Sequence, residues 1–197
     1  MRPLEIDRIG LFGGSFNPIH TGHLILAERC AEELRLDKVL FVPNAVSPLK
    51  SAEQYGPARD RLAMVRAAVK GNRRFGVLDD EVRRGGASYT FDTVTALSER
   101  TSAKLYFLIG TDAVADLDRW HRAREVARRV TFAVLRRPGS LGAQPPPWLE
   151  SWTEVSTPLI EISSSEIRER IRGGRSIRYL VPEAVAAIIR RKGLYRS

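Results

Sequence analysis

The 197-residue chain has one cysteine, Cys30, so no internal disulfide can form and no oxidising compartment is implied. No stretch approaches the ~20 apolar residues of a membrane span. After Arg2 no apolar run could serve as a signal peptide, because the apolar residues from Ile9 run straight into Gly13-Gly14, so none is expected. The Gly-Lys-Ser/Thr of a P-loop is missing, and so is G-x-G-x-x-G. Internal repeats and low-complexity tracts are absent. Lysine is scarce, with five against 27 arginines. What remains is ordinary globular composition, 43% hydrophobic and 28% charged, in a chain long enough to bury roughly 70% of its unfolded surface. We expect one domain over 1–197, in the cytoplasm. The unusual figure is the net charge of +9, which points to an anionic partner without naming it.

Short apolar runs alternate with amphipathic segments, the pattern of βαβ units around a buried parallel sheet. The expected fold is a doubly wound α/β sheet with a helical C-terminal portion. Strands are expected at 9–12, 38–43, 75–79, 105–110, 130–135 and 159–162. Helices are expected at 21–34, 57–69, 91–100, from near Asp112, at 123–129, 164–171 and 182–192. Residues 83–86 read as a turn and 140–152 as a surface excursion. The polar segment 44–56 follows a strand, where α/β proteins place ligands. Cys30, among Ala27, Ala31 and Leu34, reads as a small buried hydrophobe.

The densest constellation is Gly13-Gly-Ser-Phe-Asn-Pro-Ile-His20-Thr-Gly-His23, directly after the first strand and opening the first helix. Glycines let backbone approach a phosphate, and a helix start offers free amides and a positive dipole end. His20 and His23, three apart, lie on one side of that first turn. The zinc helix pair is spaced i, i+4 around a glutamate, and no cysteine cluster supports a metal here. A second cluster, Ile162-Ser-Ser-Ser-Glu-Ile-Arg168, opens another helix. Ser164 could cap it, but a cap does not account for Arg168, one turn on and suited to phosphate.

These two motifs resemble the H-x-G-H and I-S-S-x-x-I-R signatures of the nucleotidyltransferase superfamily. Over nearly its full length the chain further resembles the bacterial nicotinate mononucleotide adenylyltransferases, through Val42-Pro-Asn44, Ser88-Tyr-Thr-Phe-Asp-Thr93, Ile109-Gly-Thr-Asp112, Trp120, Arg136-Arg-Pro-Gly139 and Gly193-Leu-Tyr195. The resemblance implies a Rossmann-like fold and transfer of adenylyl from ATP to nicotinate mononucleotide, giving deamido-NAD and pyrophosphate in NAD biosynthesis. It implies Mg²⁺, which we expect to arrive with ATP because the sequence has no carboxylate cluster that must be a metal site. His20 and His23 become the catalytic, phosphate-holding pair. Gly13, Gly14, Ser15, Phe16, Gly110, Asp112, Ser164, Ser165 and Arg168 join them around ATP, with Asp112 facing the ribose; its alternative is to cap the helix that follows. Asn44, Lys50, Thr90, Trp120, His121 and Arg136 are implied for the mononucleotide, Trp120 as a stacking platform and His121 through its backbone, since relatives more often have Tyr there. Leu49 and Asn17 also depart from the family pattern. The partners are then two small nucleotides, with no nucleic acid and no membrane, and a homo-oligomer is compatible.

Pantetheine-phosphate adenylyltransferase shares both signatures, but Gly13-Gly14, Ser88-Tyr-Thr90 and Trp120 weigh against it. A nucleic-acid binder would use the charge directly and leave both motifs unexplained. The core of a class I aminoacyl-tRNA synthetase would need a tRNA-binding extension that is not visible.

Overall fold

The computed structural model describes residues 6–48, 56–136 and 144–196, with the Asp112 side chain outside that set. Six parallel strands form one sheet in the order β3-β2-β1-β4-β5-β6. They are β1 Arg8–Gly14, β2 Lys38–Pro43, β3 Phe75–Val77, β4 Lys104–Gly110, β5 Thr131–Arg136 and β6 Trp152–Ser156. The helices are α1 Thr21–Glu33, α2 Ala58–Val69, α3 Asp80–Arg84, α4 Thr90–Ser98, α5 Thr111–Val114, α6 Ala123–Ala127, α7 Ser164–Arg172 and α8 Glu183–Lys192.

Successive residues of a strand face opposite sides, so each apolar run feeds two cores. Tyr106, Leu108, Ala133 and Leu135 pack with α1, α2, α7 and α8, where Cys30 is buried as expected. Leu105, Phe107, Ile109, Phe132 and Val134 pack with α4, α5 and α6. The chain leaves β1 toward β2 on one side and later returns to β4 on the other. Such a reversal opens a crevice beyond the carboxyl ends of the two central strands, the place where open α/β sheets bind ligands.

Three expectations fail locally. The edge strand is Trp152–Ser156, inside and beyond the supposed excursion, while 159–162 is irregular. Trp-Thr-Glu-Val-Ser has only Val155 buried and so carries no apolar run, whereas Leu159, which suggested a strand, is 57% exposed. The expected turn at 83–86 is the end of α3, whose acidic first turn and basic last turn complement its dipole, with Gly85 and Gly86 at positive φ stopping it. β3 ends at Val77 rather than 79.

Candidate active site

The loop after β1 carries the histidines to the mouth of this crevice. His20 is the N-cap of α1 and His23 lies one turn in, with ring centroids 3.6 Å apart. The backbone N–H of His20 donates to Nδ1 of His23 at 3.2 Å. In a neutral imidazole that bond leaves the proton on Nε2, the remaining donor of the ring. His20 is 7% exposed, and burial pulls its pKa down to about 4. His23, beneath the rings of Phe12 and Phe16, is held well below the ordinary value by the same desolvation and by His20. Both rings are therefore neutral at pH 7 when no anion is bound. The intervening glycine leaves room for the rings: a Cβ on Gly22 would stand 3.0 Å from His20 Nδ1 and 3.1 Å from Ile160 Cγ2, so those side chains would have to give way.

Two clefts meet at Phe12 and Gly110, on the ends of β1 and β4. The first, about 610 Å³, is lined by Ser15, Asn17, His20, His23, Ser164, Ser165 and Arg168 among others, with no carboxylate among its described residues. Its geometry is fixed across great sequence distances. Ser164 Oγ donates to Pro18 O at 2.8 Å, and Arg168 Nη1 donates to Asn17 O at 2.9 Å. Arg168 Nη2 donates to Ser165 Oγ at 3.2 Å. The cap of α7 is Ser163, which accepts from Glu166 N–H, so the alternative reading of Ser164 as the cap does not hold.

The second cleft, about 500 Å³, takes in Gly13, Gly14, Asn44, Thr90, Trp120 and His121. The indole of Trp120 packs edge-on against Phe107 and Phe132 at 5.6 and 6.1 Å, which holds it in place at the cleft wall. Here α4 begins at Thr90, which lines the cleft with the N-cap residue Tyr89, and a helix start leaves its first amides without intrahelical partners. Beside them Glu81, 6% exposed, accepts from Thr93 Oγ1 at 2.6 Å, and burial raises its pKa.

Of the residues singled out in the sequence, Phe16 lines neither cleft. It is buried below them at φ 46°, with its ring 5.1 Å from His23. Arg136 also lines neither; it is exposed on the end of β5, 3.5 Å from Glu154. Gly110, not Asp112, is the N-cap of α5, and the Asp112 side chain, like Lys50 and Leu49, lies outside the described residues. Sequence reasoning missed Glu81, Arg119 and the hub Arg61. For Arg61 a signal existed, because it sits four residues before Val65 and eight before Val69, on the apolar stripe of α2. Among the described residues no group of three or more His, Cys, Asp or Glu could hold a metal ion, and no helix is long and apolar enough to cross a membrane.

Comparison with known proteins agrees with this geometry. The cytidylyltransferase-like family model matches residues 11–170. A protein of Geobacillus thermodenitrificans named "Probable nicotinate-nucleotide adenylyltransferase" is 44% identical over 191 residues, covering 96% of this chain and 87% of the relative. One of the same name from Salinibacter ruber is 42% identical, covering 95% and 97%. The Plasmodium falciparum nicotinic acid mononucleotide adenylyltransferase complexed with NaAD superposes with a TM-score of 0.78 at 18% identity, over 96% of this chain and 97% of that one, which is a likeness of fold. The chain belongs to the cytidylyltransferase-like family and, within it, to the nicotinate-nucleotide adenylyltransferases.

Proposed function

We propose that the chain joins ATP to nicotinate mononucleotide across the ends of β1 and β4, forming deamido-NAD and releasing pyrophosphate. The observation that carries the site assignment is the meeting of two unlike clefts at Phe12 and Gly110, one polar and free of described carboxylates, the other aromatic with a helix start in its wall. The polar cleft takes the triphosphate and the aromatic cleft takes the pyridine nucleotide.

A mononucleotide phosphate is anionic at neutral pH and needs no base. Its oxygen attacks the α-phosphorus of ATP, the new P–O bond forms as the bond to the β-phosphate oxygen breaks, and pyrophosphate leaves with the electron pair. Catalysis is then alignment plus stabilisation of the added charge. His23 Nε2–H, His20 and the start of α1 hold the α-phosphate. Ser164, Ser165 and Arg168 hold the leaving phosphates. An arriving triphosphate also favours protonation of the imidazoles, which strengthens their hold. Trp120 stacks on the pyridine ring while the amides at Thr90 and His121 bind its carboxylate. Asn44 and Lys50 face the mononucleotide phosphate and ribose, and Arg136 joins them by leaving Glu154. Asp112 binds the ATP ribose.

Hydroxyls, imidazoles and a guanidinium suit phosphate oxygens better than a bare cation, so Mg²⁺ enters on the triphosphate, bound through phosphate oxygens and water. When bound, it neutralises charge on the polyphosphate. The deciding experiment measures pyrophosphate release from ATP with nicotinate mononucleotide, nicotinamide mononucleotide and phosphopantetheine in parallel. The nicotinate nucleotide is expected to be best, and any other ranking overturns the reading.

A further inference from the structure

Beneath the two clefts lies Arg61, only 1% exposed although it is a charged residue of a surface-facing helix. Its guanidinium does not reach either cleft. Instead Nε donates to Gly56 O at 3.0 Å, Nη1 to Ser15 O at 2.6 Å and to Asn44 Oδ1 at 3.2 Å, and Nη2 to Ala45 O at 2.8 Å. Ser15 lines the polar cleft and Asn44 the aromatic one. The bonds continue on both sides. Gly56 N–H donates to Asn17 Oδ1, and Asn17 O accepts from Arg168. Ala45 N–H donates to Ser88 Oγ at 2.9 Å, the residue that leads into the start of α4.

We propose that Arg61 is a positioning residue that couples the two clefts, so that filling one pre-orders the loop of the other. A planar guanidinium has donors in fixed directions and ties two loops into one body, where an ammonium at the same place would be a single point with shorter reach. Hydrogen bonds in a dry interior are strong and costly to leave unmade, so Ser15 after β1 and Asn44 and Ala45 after β2 move together or not at all. Whatever coupling results is reciprocal: ATP tightens the mononucleotide by the factor by which the mononucleotide tightens ATP.

This inference rests on the functional reading above. The experiment is calorimetric titration of nicotinate mononucleotide, alone and with a saturating non-hydrolysable ATP analogue, in wild type and Arg61→Lys, with stoichiometry reporting the competent fraction. In wild type the analogue is expected to tighten the mononucleotide by about tenfold, within the usual range of coupling free energies. In Arg61→Lys the ratio is expected to fall below about twofold while each single-ligand Kd stays within about threefold, because the conservative swap keeps the charge and loses the fork. A purely structural role would lower stoichiometry and melting temperature and leave the ratio intact, which overturns the proposal. So does a wild type with no coupling. If Arg61→Lys does not fold, Asn44→Ala, which deletes one acceptor, must weaken the coupling, and an unchanged ratio overturns it. A wild type that binds no nicotinate mononucleotide removes the functional reading itself, whereas turnover without coupling removes only this inference.

Discussion

The two clefts share two residues and little else. In the polar cleft the side chains are short and polar, on loop and helix starts, held by bonds that span 146 and 151 residues. In the aromatic cleft the walls are rings braced by the core, with Trp120 against Phe107 and Phe132. Burial also acts on their titratable groups in opposite directions. It pushes the imidazoles of one cleft down and the Glu81 carboxyl of the other up. The same loss of water thus leaves histidines uncharged and makes a carboxylate reluctant to ionise, because both lose hydration of the charged form. The polar cleft is positioned by hydrogen bonds across the chain, the aromatic one by rigid packing.

Acidification should break this contrast first. His20 titrates near 4 folded and 6.5 unfolded, so between those values the unfolded chain binds more protons and stability falls as pH falls. The full window corresponds to about 3 kcal/mol for His20 alone. Glu81 acts with the opposite sign, its neutral form being favoured in the fold. Denaturant unfolding at pH 7 and pH 5 in wild type and in Glu81→Gln should show the acid loss in both; equal stability at the two pH values would refute the histidine assignment.

His23→Ala should lower kcat by on the order of a hundredfold with the protein still folded, as expected for loss of a donor to developing charge. Unchanged turnover would remove His23 from the mechanism. Trp120→Ala should raise KM for the mononucleotide by about tenfold, the scale of one lost stacking contact, while KM for ATP stays within about twofold. The reverse ordering would exchange the roles of the clefts. The smallest effect belongs to Glu81→Gln at pH 7. It keeps an acceptor for Thr93 and removes a buried charge, so the melting temperature should rise by a few degrees, and a fall would mean that the charge itself stabilises the loop.

Much of this was legible because the informative residues are adjacent in the chain. β2 is an apolar run of β-branched and aromatic residues ending at Pro43, and its limits are those expected at 38–43. Gly13 to His23 carries glycines, imidazoles and a helix start within a single stretch, so an anion-binding helix start could be anticipated there, while Ser164, Ser165 and Arg168 were joined to it mainly through the family resemblance. β6 was hidden because an edge strand buries one residue in five and needs no apolar run. The capping role of Ser163 was hidden among three consecutive serines that propensity cannot tell apart. Glu81 was hidden because its donor Thr93 comes from the next helix, and Arg61, although its place on the apolar stripe of α2 hinted at burial, finds acceptors as far off as Ser15 and Asn44 that no local pattern names.

Thr21, which opens α1, donates its backbone N–H to Leu180 O at 2.9 Å and its hydroxyl to Tyr179 O at 3.0 Å. With the ties from Ser164 and Arg168, the motif at 13–23 is secured by residues 146, 151 and 158 positions further along the chain. A chain cut at residue 150 would keep the central strands, both histidines and the ties from Arg61 and Gly56, yet lose those from Ser164, Arg168, Tyr179 and Leu180. The polar cleft is therefore closed by sequence far from its histidines, and a truncation before residue 180 should cost activity even where the sheet still forms.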